Sequence, residues 1–254
     1  MVNFSTRMKL RIIALCQNFW DSQEHSIKRA ALGQWNGLDT WASHMKYLFG
    51  AFKLYQSCGT WSDPAWNAVP EIEVINAGIP NENRKLYFGQ RWHYAMAAWT
   101  SGFVHILNRN DWDLVVFCDP DFLMLGMDCD RIVKEFWRRD ELICAPSYGE
   151  FGLGGPLMIY KRWGMIKNVH SRRQATLLFD STIPDLIEIE QELRQIFHGE
   201  WWNPWPDIFL MFQNNYASDD HARRWPMVIR PSENLVQEYL QGKLNKPNPY
   251  IGIE

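Results

Sequence analysis

Long hydrophobic runs are absent from this sequence. The only early one extends from Leu10 to Cys16, well short of the roughly 20 apolar residues that a membrane-spanning helix requires, and no signal-peptide pattern accompanies it. Neither sign of charge dominates. Lys and Arg number 26 against 29 Asp and Glu, a formal net charge of −3, so no global basic field announces nucleic acid or an anionic membrane as partner. Cysteine is scarce. Cys16, Cys58, Cys118, Cys129 and Cys144 form an odd set with no Cys-x-x-Cys spacing, and Cys16, Cys118 and Cys144 sit in apolar runs. This argues against a disulfide framework and reads as buried thiols in a reducing compartment. Internal repeats, low-complexity tracts and a clear linker are missing too. The expectation is a soluble cytoplasmic protein, in the host cytoplasm if the source is viral, with no stalk or anchor ahead of the domain. The 254 residues suit one domain long enough to bury a core, which spans about residues 9–230 and leaves a C-terminal tail over residues 231–254.

Tryptophan, by contrast, is abundant. Fourteen are present; some must be core, but this density also suits flat stacking surfaces for sugars or bases. Strand-like and helix-like segments alternate along the chain. Residues 10–16, 45–52, 72–75, 114–118, 142–145 and 155–160 read as strands. Residues 22–41, 83–107, 131–137 and 186–197 read as helices, and 207–214 as the opening of another. Residues 57–70, 146–154 and 201–206 carry the Gly, Pro and Trp of irregular loops. Such alternation argues for an α/β domain, a mainly parallel sheet flanked by helices.

The most informative stretch is VVFCDPDFLML. A buried-type strand runs straight into Asp119-Pro120-Asp121, and an apolar run resumes at once with Phe122. In an open α/β sheet, ligands bind outside the carboxyl ends of the strands, and this pair sits at such an end. Residues i and i+2 of an extended chain point to the same side, and Pro120 biases its own and the preceding residue toward extended geometry. Two carboxylates held side by side repel one another unless they meet a cation. Hard oxygen ligands suit Mg²⁺ or Mn²⁺, with positions left open for a substrate's phosphates. A plain polar turn uses the same residues, but gives no reason for the apolar run behind it.

On these residues the chain resembles the GT-A glycosyltransferases. LVVFCDPDFLML is similar to their DxD motif. DPDFLMLGMDCDRIVKEF followed by LICAP, then FGLGGPLMIY and WPDIFLMFQNNY, is similar to the glycogenin-like pattern, and IKRAALGQW ahead of YLFGAF resembles β-1,3-galactosyltransferase-like enzymes. The order of elements matches over about residues 10–216, with the acidic pair as its specific part. The resemblance implies a Rossmann-like GT-A fold and a metal-dependent hexosyltransferase, moving a sugar from a nucleotide sugar (a UDP-sugar above others) to an acceptor hydroxyl.

It also implies roles. Asp119 would touch the ribose or the Mn²⁺ or Mg²⁺ ion, and Asp121 would ligate that ion beside the donor's diphosphate. Gly154 and Gly155 would let the backbone approach the sugar, although a turn into a strand uses the same residues. Arg84 and Arg91 open the helix ahead of the acidic strand, where such enzymes place a basic residue near the nucleotide; a solvated helix face carries the same charges. Asp207 is the candidate carboxylate near the anomeric centre, with Glu200 competing for that role. It would be a general base in an inverting enzyme and an orienting group in a retaining one, while a helix-opening Asp also fits the helix dipole. His221 is the candidate for the late histidine that completes the metal shell in the glycogenin-like group. The tail YLQGKLNKPNPY departs from that group's signature, with Gln241 standing near the expected His.

Three rivals use part of the same pattern. A haloacid dehalogenase-type phosphatase also places Asp-x-Asp after an apolar strand, but with Thr or Val where this chain has Leu123, and near the start of its domain. A nucleotidyltransferase would carry a phosphate-cradling loop after the first strand, and QNFWDSQ offers none. A non-catalytic Trp-rich carbohydrate-binding protein would explain Trp201, Trp202 and Trp205, but not a buried strand ending in carboxylates. Those rings, with Trp61 and Trp66, could equally stack on an acceptor. A glycan or small hydroxyl acceptor is favoured over a hydroxymethylated DNA base, because the arginine pairs 138–139, 172–173 and 223–224 are scattered on a near-neutral chain.

Overall fold

The computed structural model describes residues 9–18, 38–58, 69–76, 91–120, 122–124, 129–146, 157–178, 195–204, 227–229, 238, 241 and 243. Its strands are β1 (Ile12–Asn18), β2 (Lys53–Cys58), β3 (Ile72–Asn76), β4 (Leu114–Cys118), β5 (Phe122–Met124), β6 (Ile143–Cys144), β7 (Leu157–Tyr160), β8 (Trp201–Trp202) and β9 (Met227–Ile229). The helices among the described residues are α1 (Leu38–Phe49), α2 (Arg91–Leu107), α3 (Cys129–Arg138) and α4 (Arg162–Leu178). Seven strands form one sheet in the order β3-β2-β1-β4-β7-β6-β8, and β5 pairs with β9 in a second. In the large sheet β7 alone runs against its neighbours. The α/β architecture read from the sequence, a mainly parallel sheet flanked by helices, is the one found.

Alternation along the central strands builds two cores. Ile12, Ala14, Cys16, Leu114 and Val116 face one side, with Trp41 and Met45 of α1 and Ile132 and Phe136 of α3. Ile13, Leu15, Val115 and Phe117 face the other, with Phe103 and Ile106 of α2 and Met165 and Val169 of α4. Strands buried on both faces read as continuous apolar runs, which is why LVVFC was legible.

Residues 45–52 are not a strand. Leu38, Trp41, Ala42, Met45 and Phe49 are all buried, and their three- and four-residue spacing is a helical stripe. The β-prone aromatics of KYLF obscured it. Gly50, at φ 63°, ends α1 in the left-handed region, and β2 starts only at Lys53. Helix α4 is unassigned in the sequence reading, because over residues 162–170 Met165 and Val169 are the buried apolar positions beside polar ones. Strand β1 continues through Gln17 and Asn18, past its expected end at residue 16. Residues 201–206, read as a loop, open as β8, and Gln195 and Ile196 end the helical segment expected over 186–197.

Two stability predictions arise here. A Cβ at Gly164 would lie 2.3 Å from the carbonyl oxygen of Leu142. That backbone cannot yield easily: the Leu142 N–H donates to the Glu200 carbonyl at 2.8 Å and its carbonyl accepts the Lys161 N–H at 3.1 Å. Gly164→Ala is expected to cost about 3 kcal/mol, the upper end of overpacking effects, read as a lowered urea midpoint. The second concerns His44, which is buried on α1 and whose pKa burial depresses to about 3. Below the unfolded value near 6.5 only the unfolded chain takes the proton, so stability is full above pH 6.5 and falls toward pH 3. Between pH 6.5 and pH 5 the loss is expected to be about 2 kcal/mol. This window lies above the range where Asp113 and Glu141, whose pKa values are held down by hydrogen bonds from Arg11 and Arg139, begin to protonate. Urea midpoints at both pH values, for wild type and His44→Gln, test it; an equal loss in the variant refutes it.

Candidate active site

The strand order locates a topological switch point. From β1 the chain steps outward to β2 and β3, then returns across β1 to β4. Chains leaving β1 and β4 therefore part in opposite directions, and the carboxyl ends of those two strands border the switch point where open α/β sheets bind ligands. Asp119 follows the last residue of β4. The β1–β4 register runs from Ile12↔Leu114 to Leu15↔Phe117; the constant offset carried two residues on sets Gln17 level with Asp119. Leu157, which opens β7, pairs with Cys118, which closes β4. The small sheet starts here as well, since β5 begins at Phe122 and pairs Phe122 with Ile229 of β9. The apolar run behind the acidic pair is thus the first strand of a second sheet, and Asp119 and Pro120 stand at the joint where the chain leaves the first.

Asp119 is half-buried and Pro120 buried. The Trp41 indole N–H donates to the Cys118 carbonyl at 3.1 Å, and the Cys118 thiol lies 3.5 Å from the Asp119 carbonyl oxygen. Beneath the joint, Trp99 stacks on Phe117 with ring centroids 4.6 Å apart, and Phe103 meets Tyr160 edge-on at 5.1 Å. This packed aromatic layer gives the carboxyl edge a rigid floor.

Polar side chains that the sequence reading passed over end the neighbouring strands. Gln17 is 4% exposed and Gln56 1% exposed, and among the described residues neither side-chain Nε2 has a hydrogen-bond partner. A buried amide donor without a partner costs about 1–3 kcal/mol and calls for an explanation; beside a switch point, a ligand is one. Ser57, paired with Gln17 in the β1–β2 register, donates its hydroxyl to the Ala98 carbonyl of α2. The signal was present in the sequence as polar residues closing an apolar run, LRIIALCQN, which reads as the end of a strand rather than a part of it.

Helix α2 packs over this face against β1, β2 and β3 and leads into β4, so its first residues lie toward the carboxyl edge. Arg91 is its first residue, and its first turn carries no acidic residue. Asp121, Arg84, Gly154, Gly155, Asp207 and His221 lie outside the described residues. Among the described residues no three His, Cys, Asp or Glu side chains come together, Asp119 being the one described member of the expected ligand set.

Glu200 is set apart from Asp119. It precedes Trp201, which is level with Ile143, Tyr160 and Val115 across the sheet. That places it at the edge where β4 begins, roughly 16 Å along the strands from Asp119 at 3.3 Å per residue. Its carboxylate pairs with Lys167 and its carbonyl accepts the N–H groups of Leu142 and Ile143, a structural role. Trp201 and Trp202 are not a free platform either. Trp201 donates to the Ala145 carbonyl at 2.7 Å, while Trp202 stacks on Phe136 with centroids 6.3 Å apart and lies under the Arg139 guanidinium. They anchor the edge strand to opposite cores, and Arg139, bound to Glu141 at 2.9 Å, is committed there too. Trp61, Trp66 and Trp205 lie outside the described residues. No helix among the described residues is long and apolar enough to cross a membrane.

No family model matches the chain, and no curated protein matches it in sequence. Solved structures do share its outline. The glycosyltransferase GlyE of Streptococcus pneumoniae TIGR4 aligns over 95% of this chain and 66% of its own, so this chain spans less than two thirds of it, at 12% identity and a TM-score of 0.49. The galactosyltransferase LgtC, in complex with donor and acceptor sugar analogs, aligns over 96% and 97% at 10% identity and 0.45. A 4-diphosphocytidyl-2C-methyl-D-erythritol synthase from Anaerococcus prevotii aligns over 76% and 86% at 8% identity and 0.45. None of these scores reaches 0.5.

Proposed function

We propose that this protein is a metal-dependent glycosyltransferase that moves a sugar from a nucleotide sugar to an acceptor hydroxyl. The observation that carries the reading is Asp119, the first of an Asp-Pro-Asp pair, standing where β4 leaves the sheet at the β1–β4 switch point. Asp119 and Asp121 offer the hard oxygens that fit Mn²⁺ or Mg²⁺. When bound, such an ion supplies charge neutralisation for a leaving nucleoside diphosphate. The chain's own groups do the rest. The amino end of α2, with no acid in its first turn and Arg91 opening it, favours an anionic diphosphate, and Arg84 would add to it. Gln17 would offer its unpartnered amide donor to the nucleoside. Gly154 and Gly155, a few residues before Leu157, would admit the sugar. Asp207 would orient the anomeric centre or take the acceptor's proton, and His221 would complete the ion's shell. The carbohydrate-binding alternative loses support, since Trp201 and Trp202 are core anchors.

Incubation with a panel of nucleotide sugars tests the reading. The expected result is release of nucleoside diphosphate from one donor class, UDP-sugars first, only with Mn²⁺ or Mg²⁺ present. No release from any donor with either ion would sink it. With a glycan or small hydroxyl acceptor, turnover should be nearly independent of salt, whereas a hydroxymethylated DNA acceptor would bind more weakly as salt rises.

A further inference from the structure

One side chain distant in sequence reaches the acidic joint. Trp41 belongs to α1, seventy-seven residues before Cys118 in sequence, and is fully buried against the β1–β4 face. Its indole N–H reaches the carbonyl of Cys118, the last residue of β4. That carbonyl and the Asp119 N–H share one planar peptide unit, so a hydrogen bond to the first fixes the plane from which Asp119 departs. On the other side of Asp119, its own carbonyl meets the Cys118 thiol and Pro120 restricts the next φ. The β1–β4 ladder pairs residues only as far as Leu15↔Phe117, so the indole bond takes over where pairing with β1 stops.

We propose that Trp41 is a positioning residue: its N–H sets the direction in which Asp119 presents its carboxylate to the cation and diphosphate. The inference rests on the glycosyltransferase reading above and adds a residue to it. Among the described residues Trp112 and Trp201 make the same type of bond, Trp112 to the Ile106 carbonyl at 2.9 Å and Trp201 to the Ala145 carbonyl. Trp112 precedes β4 and lies at its opposite end. It therefore supplies a matched control, a buried indole–carbonyl bond whose loss touches stability but not the acidic joint.

The test compares wild type, Trp41→Phe and Trp112→Phe by calorimetric titration with UDP in the presence of Mn²⁺ and with chelator, alongside thermal melts. Trp41→Phe is expected to weaken Mn²⁺-dependent UDP binding about tenfold, the scale of one hydrogen bond's net contribution. Trp112→Phe is expected to bind as wild type while melting at least as early as Trp41→Phe. If Trp41→Phe does not fold, benzothienylalanine at position 41, which replaces the N–H by sulfur at nearly unchanged shape, makes the same comparison. Wild-type affinity in the Trp41 variant overturns the positioning role alone, as does equal weakening in both variants. A wild-type protein that binds no nucleoside diphosphate with Mn²⁺ overturns the proposed function, and this role with it.

Discussion

Alanine at position 121 is expected to abolish cation-dependent binding of a nucleoside diphosphate. The reason is electrostatic. Under the proposed function a diphosphate would bring negative charge up to Asp119 at the end of β4, and two anionic groups share a site only through a cation. Asp119 and Asp121 would then be the two hard oxygen donors, and the substitution removes one. Loss of a partner that merely supports a ligand typically costs 10–100-fold in metal affinity, so loss of a ligand itself should exceed about a hundredfold. Titration of UDP into wild type with Mn²⁺, wild type with chelator, and Asp121→Ala with Mn²⁺ decides it. Equal affinity in all three would refute the metal bridge and leave the pair as a polar turn. The melting temperature of Asp121→Ala should stay close to that of wild type or rise slightly, because relieving like-charge repulsion does not cost stability.

What was legible in the sequence was whatever lies deep in the sheet. LVVFC is buried at every position, so its apolar character survives without context and the carboxylates behind it stand out. Position-dependent chemistry was harder to see. Residues 45–52 read as a strand because Tyr47, Leu48 and Phe49 favour extended structure locally; the stripe from Leu38 to Phe49 against the sheet decided otherwise. Gln17 was missed because a polar residue after an apolar run signals a strand's end, and Gln56 because β2 starts at Lys53, beyond the strand expected over residues 45–52; both lie in the ladder and are buried. Glu200 looked promising only because it is near Asp207 in sequence. The antiparallel entry of β7 reverses the chain, and β6 and β8 then run with β4. Residues just ahead of β8 are thereby delivered to the wrong edge of the sheet.

The same topology concentrates the candidate chemistry. At the middle of the carboxyl edge three neighbouring strands meet: β1 and β4 end there and β7 starts there. The small sheet adds a fourth, because Ile229 pairs with Phe122, the neighbour of Asp121. A late segment of the chain is thus tied directly behind the acidic joint. At the opposite edge, charged groups are paired in structural roles, such as Arg11 with Asp113 at 2.9 Å and Lys167 with Glu200. Arg162 spans the carbonyls of Leu107 and Arg109 there, closing the last turn of α2.

That division between edges bears on Glu200, the described one of the two candidate carboxylates. Asp207→Asn is expected to leave UDP binding with Mn²⁺ intact and to lower transfer by at least about a hundredfold, the lower end of positioned acid–base contributions. The amide keeps the size of the carboxylate but neither accepts a proton nor carries the charge that would steady a developing cationic centre. Glu200→Gln is expected to bind and transfer as wild type. Its carboxylate pairs with Lys167 on the half-exposed opposite edge, so its loss should cost no more than about 1 kcal/mol of stability and nothing in turnover. Transfer rates measured at saturating donor, with binding measured separately, distinguish the cases. If Glu200→Gln loses transfer while Asp207→Asn keeps it, the catalytic carboxylate is Glu200 and the sheet's two edges do not divide the chemistry as drawn. If neither loses transfer, the group nearest the anomeric centre is another residue, and a substitution series over the remaining carboxylates would locate it.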